Sequence, residues 1–223
     1  IEKIKQDFNF SEIVSKLIIS RNFDYDEIYS IENPSIIRNE FKNDKDFINA
    51  SLLLEKSINE KELICIFSDY DVDGSAATSL LAKFFDYIKH PYFFYIPDRE
   101  REGYGPSNSV FKKLILKKPK LIIMVDCGST ANQSIAYLND KKIKSIIIDH
   151  HEIDKPYPKA NVIINPKKNI GNLTKDYYCA TTLTYFFLEI LIKKIKSSFC
   201  LSNYLVYVLL ALVCDVMPLR KIN

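Results

Sequence analysis

Between residues 63 and 164 the chain alternates short, nearly unbroken apolar runs with longer amphipathic stretches. The apolar runs are Leu63-Ile64-Cys65-Ile66-Phe67, Tyr92-Phe93-Phe94-Tyr95-Ile96, Leu121-Ile122-Ile123-Met124-Val125, Ser145-Ile146-Ile147-Ile148 and Asn161-Val162-Ile163-Ile164. Their length and β-branched content predict strands, and the lack of polar alternation predicts strands covered on both faces. Helical spacing over about 76–88, 107–117, 131–139, 179–195 and 204–213 supplies the cover. The fold class expected is α/β: a mostly parallel sheet of five or more strands with helices on both faces. Residues 1–60 read as a polar helical lead-in, including 11–19, a turn at Asn33-Pro34, and a helix over 46–58 with Phe47, Ala50, Leu53 and Leu54 on one face. The apolar stretch Leu201–Val213 is too short to span a bilayer, so a core helix and no membrane association are expected.

Each of three runs ends in chemistry: Asp69-Tyr70-Asp71-Val72-Asp73-Gly74, Asp126-Cys127-Gly128 and Asp149-His150-His151. In a parallel sheet the strand C-termini share one edge, and ligands bind there. Asp69, Asp71 and Asp73 alternate, which in an extended segment turns them the same way, with Gly74 for a tight turn and Ser75 to cap the following helix. Three such close carboxylates repel one another unless a cation binds. An EF-hand loop opens alike, but its twelfth position here is Leu80, not Glu. Asp126 alone reads better as a turn or cap residue than as a ligand, and so does Asp215, which follows the last apolar run and reads as a helix-end cap. The tandem histidines are more informative, since the chain has only 3 His. They suggest one metal ligand and one group facing substrate, with Asp149 orienting an imidazole. Carboxylates outnumber thiolates, so Mg²⁺ or Mn²⁺ suits the set better than zinc. Together the clusters imply two ions about 3.5–4 Å apart, the arrangement that serves phosphoryl displacement. The loop Ile96-Pro97-Asp98-Arg99-Glu100-Arg101-Glu102-Gly103-Tyr104-Gly105 offers Arg99 and Arg101 to phosphate and Tyr104 to a base, or is simply solvated.

Composition narrows this little. The chain has 223 residues, 47% of them hydrophobic, which suffices for a substantial core. The net charge of +3 neither demands nor excludes a nucleic-acid partner. The five cysteines form no C-x-x-C pair, which favours free thiols in a reducing, cytoplasmic setting.

The set D-Y-D-V-D-G, V-D-C-G, D-H-H and a distal Asp resembles the DHH phosphoesterase superfamily, and more narrowly the RecJ-type single-stranded-DNA exonucleases. The narrowing rests on Ser68–Gly74, Ile96–Arg99 with Glu102–Gly105, Ile164-Asn165-Pro166 and Cys214–Leu219, over about 45–220. The resemblance implies a catalytic domain over 61–223 carrying two Mn²⁺ or Mg²⁺. Asp71, Asp73, Asp126, His150 and Asp215 fall on the family's metal ligands, with Asp126 bridging. His151, Asp126 and Asp69 would be catalytic, and Arg99, Arg101, Tyr104 and Gly105 would bind substrate. The implied activity is 5′-to-3′ hydrolysis of single-stranded DNA in recombination and repair, with a single-strand-binding protein and a helicase as partners of the full-length protein.

Two positions depart from the family pattern. Phe67 stands where many superfamily members have a histidine, and Tyr178-Cys179-Ala180-Thr181-Thr182 replaces a glycine-rich stretch. The sequence to Asn223 is also expected to lack the DHH-associated C-terminal domain and any OB-fold. The rival readings are a phosphodiesterase for short oligoribonucleotides, cyclic dinucleotides or pyrophosphate, and a non-catalytic RecJ-like replication scaffold.

Overall fold

A computed structural model describes residues 2–33, 39–168, 177–218 and 220. The turn expected at Asn33-Pro34 lies partly outside these residues, as does Leu219. Three short helices come first, α1 (Glu2–Phe8), α2 (Glu12–Ser20) and α3 (Tyr25–Glu32). Ser11 caps α2 through the Val14 amide, and Asp24 and Glu27 cap α3 reciprocally. The chain then runs α4 (Lys45–Asn59), β1 (Ile64–Ser68), α5 (Val72–Tyr87), β2 (Tyr92–Tyr95), α6 (Asn108–Leu114), β3 (Leu121–Val125), α7 (Asn132–Asp140), β4 (Lys144–Ile148), β5 (Val162–Ile164), α8 (Ala180–Lys194) and α9 (Leu205–Cys214).

The five strands are all parallel, in the order β2-β1-β3-β4-β5. Alternate residues of each strand enter two separate cores. Ile64, Ile66, Ile123, Val125 and Ile148 pack under α4, α5 and α8. Cys65, Phe67, Met124 and Ile147 pack under α6 and α7. Every residue of β1 and β3 is buried, which is why these strands carry no polar alternation. Helix α4 belongs to this layer through Phe47, Ala50 and Leu54, so it covers the sheet as well as leading into it.

Two expectations are corrected. The helix expected from residue 76 begins at Val72, because Asp71, not Ser75, is its N-cap and accepts from the Gly74 amide. Asp73 and Gly74 therefore lie inside the first helical turn rather than in an extended segment. Gly74 is needed for close approach, not for a turn: a Cβ there would sit 2.7 Å from the Asp69 carbonyl oxygen and from Ser68 Oγ. Second, α9 is not a core helix. Only Ala211 and Leu212 are buried in it, while Val206, Leu209, Leu210 and Val213 face outward, Leu209 with 59% of its surface exposed.

After β1 the chain moves to one side of the sheet, and after β2 it crosses to the other, so the order reverses between β1 and β3. Ser68, Val125 and Ile148 are in register across β1, β3 and β4, with Ile164 of β5 beside Ile148. The residues that follow them are Asp69, Asp126, Asp149 and Asn165. Their amides extend the ladder one rung: Asp69 N–H donates to the Val125 carbonyl (3.4 Å), Asp126 N–H to Ile148 (2.9 Å) and Asp149 N–H to Ile164 (3.0 Å). Four polar side chains thus leave the sheet at one level, on either side of the crevice where ligands bind in such folds.

Candidate metal centre

Asp126 stands at the middle of this edge. Its side chain is 1% exposed, yet among the described residues neither carboxylate oxygen has a hydrogen-bond partner. Its backbone is left-handed (φ 60°), a conformation that costs a non-glycine residue about 1–3 kcal/mol. Gly128, two residues on, has φ 110° and lies against Ile147 and Met124, where only glycine fits. The turn therefore holds a buried, unsatisfied carboxylate in a strained place, which is a cost without a ligand.

The other acids close around it. Asp69, Asp71 and Asp126 offer oxygens within 4.8 Å of one another, as do the ligand atoms of Asp73, His150 and Asp215, and those of Asp126, His150 and His151. His150 Nε2 lies 3.2 Å from Asp126 Oδ1, 3.5 Å from Asp215 Oδ2 and 3.7 Å from Asp73 Oδ2. It too is buried without a hydrogen bond. Burial, then the charges of Asp73 and Asp71, drive the proton affinity of Asp126 far above the usual carboxylate range. Burial also raises Asp69 and Asp215. A divalent cation would reverse this, compensating the charges and filling the vacant coordination of Asp126 and His150. The donors are hard oxygens with one imidazole, which fits Mn²⁺ or Mg²⁺.

Asp149 does a different job. It is buried, and its Oδ1 accepts from the His150 amide (2.8 Å), the His151 amide (3.2 Å) and His151 Nδ1 (2.8 Å), while Oδ2 accepts from the Ser129 amide (2.9 Å). Burial pushes its pKa up, but the bonds from His151 and Ser129 outweigh it and bring the carboxyl to about 2. The bond to Asp149 in turn raises His151. With Nδ1 held inside, His151 has Nε2 left to offer outward.

Asp73 has a second engagement that no local pattern announces. Its two oxygens accept from the Ala180 amide (2.6 Å) and the Thr181 amide (2.8 Å), and Thr181 Oγ1 donates to the Asp73 carbonyl (2.9 Å). Asp73 thus caps α8 from across the core, and the segment that replaces a glycine-rich stretch makes its backbone contacts here. Asn165 also escaped prediction as a site residue: its Nδ2 donates to Ser129 Oγ (2.8 Å) and the His151 carbonyl (2.9 Å). Its place after β5, level with the acids, was the available signal. Phe67 is wholly buried among Tyr95 and Phe111, away from the acids.

The 98–105 loop reaches the site through Tyr104. Its hydroxyl is 3.2 Å from His151 Nδ1 and 3.5 Å from the Asp126 carbonyl oxygen, which accepts from it. Gly103 (φ 77°) and Gly105 (φ 74°) bracket it in backbone conformations that favour glycine. Glu102 anchors the loop, accepting from Tyr95 Oη (2.6 Å), the Asp98 amide (3.1 Å) and Lys113 Nζ (2.9 Å). The Arg99 guanidinium lies over the Tyr70 ring at 5.2 Å. Arg101 projects into solvent, 4.0 Å from Asp98.

A model of the DHH family, N-terminal domain, matches residues 63–212. The chain belongs to the DHH family. The match runs from β1 into α9, and Asp215 lies just past it. Among curated proteins the chain is similar to the single-stranded-DNA-specific exonuclease RecJ of Bacillus subtilis, 29% identical over 171 residues that make up 75% of this chain and 22% of that protein. RecJ of Haemophilus influenzae is 27% identical over 180 residues, 77% of this chain and 31% of that protein. The chain therefore spans well under half the length of these relatives. Among solved structures, exonuclease RecJ bound to manganese shares the fold with a TM-score of 0.73 and 24% identity over 80% of this chain and 45% of that one. CDC45 from Entamoeba histolytica shares it more distantly, with a TM-score of 0.54 and 15% identity over 79% of this chain and 34% of that one.

Proposed function

We propose that this chain carries the catalytic centre of a two-metal phosphodiesterase that hydrolyses single-stranded DNA from its 5′ end, as a RecJ-type exonuclease. The observation that carries the reading is the pair of unpartnered, buried oxygens of Asp126, set between the Asp69–Asp71 and the Asp73–His150–Asp215 groups. In this reading Asp69, Asp71 and Asp126 would hold one Mn²⁺ or Mg²⁺, and Asp73, His150 and Asp215 would hold the other. Such ions supply an activated water and neutralise charge on the phosphate oxygens.

The chain's own residues supply the rest. His151, oriented by Asp149 and with its proton affinity raised, presents a proton from Nε2 to a phosphate oxygen or to the leaving oxygen. Tyr104, whose hydroxyl meets the Nδ1 side of His151, stacks a nucleobase beside the site, and Arg99 and Arg101 meet the phosphate backbone. The catalytic unit is 61–223 with α4, and the physiological role is DNA recombination and repair in the cytoplasm, beside a single-strand-binding protein and a helicase. Among the described residues no helix is long and apolar enough to cross a membrane.

The test is an Mn²⁺-dependent assay on 5′-labelled and 3′-labelled single strands, beside an Asp126→Ala chain. The reading requires 5′-end release that falls by several orders of magnitude on substitution. Cleavage of a dinucleotide but not of single-stranded DNA would transfer the site to short oligonucleotides, and absence of Mn²⁺ binding would favour a scaffold.

A further inference from the structure

Asp215 reaches the site from an unusual backbone. It ends α9, and the next residue, Val216, is left-handed (φ 52°). The Met217 amide closes the helix by donating to the Leu212 carbonyl (2.9 Å), a helix end that ordinarily has glycine where Val216 stands. A β-branched residue is strained there, and Met217 helps to hold the turn by packing on the cluster of Ala76, Cys179, Ala211 and Leu212.

Arg220, five residues past Asp215, ties the chain down again beyond that turn. Its Nε and Nη2 grip both oxygens of Glu27 (2.6 and 2.7 Å), Nη1 donates to the Arg21 carbonyl (3.2 Å) and Nη2 to the Asn22 carbonyl (3.1 Å). Its guanidinium also covers the Phe23 ring at 5.1 Å. Glu27 is 5% exposed and is itself fixed by the Asp24 amide (2.8 Å). The carbonyls belong to the end of α2, where a cation is favoured. A planar fork satisfied on three sides is a built socket, not a passing surface ion pair.

We infer that Arg220, seated in the Glu27–Arg21–Asn22 socket of the amino-terminal helices, is a positioning residue that fixes Asp215 for the ion shared with Asp73 and His150. This inference rests on the proposed metal centre. It gives residues 12–32 a task in the site that their polar, weakly periodic sequence does not announce.

The experiment is titration of Mn²⁺ into the metal-free chain by calorimetry and electron paramagnetic resonance, for the parent, Arg220→Met, Arg220→Lys and Asp215→Asn. Asp69, Asp71 and Asp126 form a group without Asp215, so one ion reports on the socket and the other serves as the internal control. Arg220→Met should weaken one of two Mn²⁺ by about tenfold or more, the range for residues that orient a ligand. The other ion should stay within about twofold, while the melting temperature in chelator should fall because the buried Glu27 carboxylate loses its partner. Asp215→Asn should affect the same ion. Arg220→Lys, which keeps the charge without the fork, should weaken it by an intermediate factor, and serves alone if Arg220→Met does not fold. Unchanged affinities, or both ions weakened alike, overturn the inference while the metal centre stands. A parent chain that binds no Mn²⁺ overturns both.

Discussion

His150 Nε2 and Asp126 Oδ1 lie 3.2 Å apart, buried, with no hydrogen bond joining them or tying either to another of the described residues. Two polar atoms in that position are expensive unless a third body sits between or beside them. The same cost makes the centre testable without a nuclease assay.

Asp126→Asn removes a buried carboxyl that the metal-free protein keeps only by holding a proton on it. In chelator at neutral pH its melting temperature should exceed the parent's, by the equivalent of about 1–3 kcal/mol. The sign follows from the raised proton affinity of Asp126. The folded carboxyl keeps its proton at pH values where the unfolded one has lost it, so the parent loses stability as pH rises from the ordinary carboxylate range. The gap between parent and variant should widen from pH 4 to pH 7 and reverse when Mn²⁺ is added. A parent as stable as the variant in chelator at pH 7 would count against the strain assigned to Asp126.

His151→Ala should leave both Mn²⁺ bound and lower kcat by about 10²–10⁴, the usual worth of a positioned proton donor. Loss of metal together with activity, seen by calorimetry, would make His151 a ligand instead. It does lie within ligand distance of Asp126 and His150.

Gly74→Ala pushes a methyl against the Asp69 carbonyl and Ser68 Oγ, both at 2.7 Å. The start of α5 must move away from β1, at a cost of about 1–3 kcal/mol. Denaturant unfolding should show that loss, and Mn²⁺ affinity should drop with it because Asp71 and Asp73 travel with α5.

Glu102 is held at a pKa of about 2 by the Tyr95 hydroxyl and by Lys113. Its support for the loop is therefore present above the ordinary carboxylate range and is lost as pH falls through about 2. In the metal-free protein the amide resonances of Gly103 and Gly105 should shift with that low midpoint. In Glu102→Gln the low midpoint should vanish, and Tyr104 should lose its contact with His151.

Leu209→Gln should change stability by no more than about 0.5 kcal/mol, as for most surface positions, whereas Leu212→Ala should cost about 2 kcal/mol or more. Thermal melts of the two separate an outward α9 from a buried one.

The parallel sheet was legible because strands with no exposed face leave no room for polar residues, and runs such as Leu121–Val125 carry none. The acids at its edge were legible for the same reason: each interrupts an apolar run. The start of α5 was not, because Asp71 can be a ligand or a cap by composition, and here its Oδ1 caps. The capping of α8 by Asp73 joins residues 107 apart, beyond any local pattern. The exposure of α9 was hidden for a different reason. An apolar helix looks alike in sequence whether neighbours cover it or not, and composition favoured the core.

The alignment of Ser68, Val125 and Ile148 bears on how such a protein can change. Losing one amino acid from any of these strands would swing the acid at its tip to the opposite surface of the sheet. Connections can change length only away from the strand tips, and the count of residues within each strand is as much a part of the chemistry as the acids themselves.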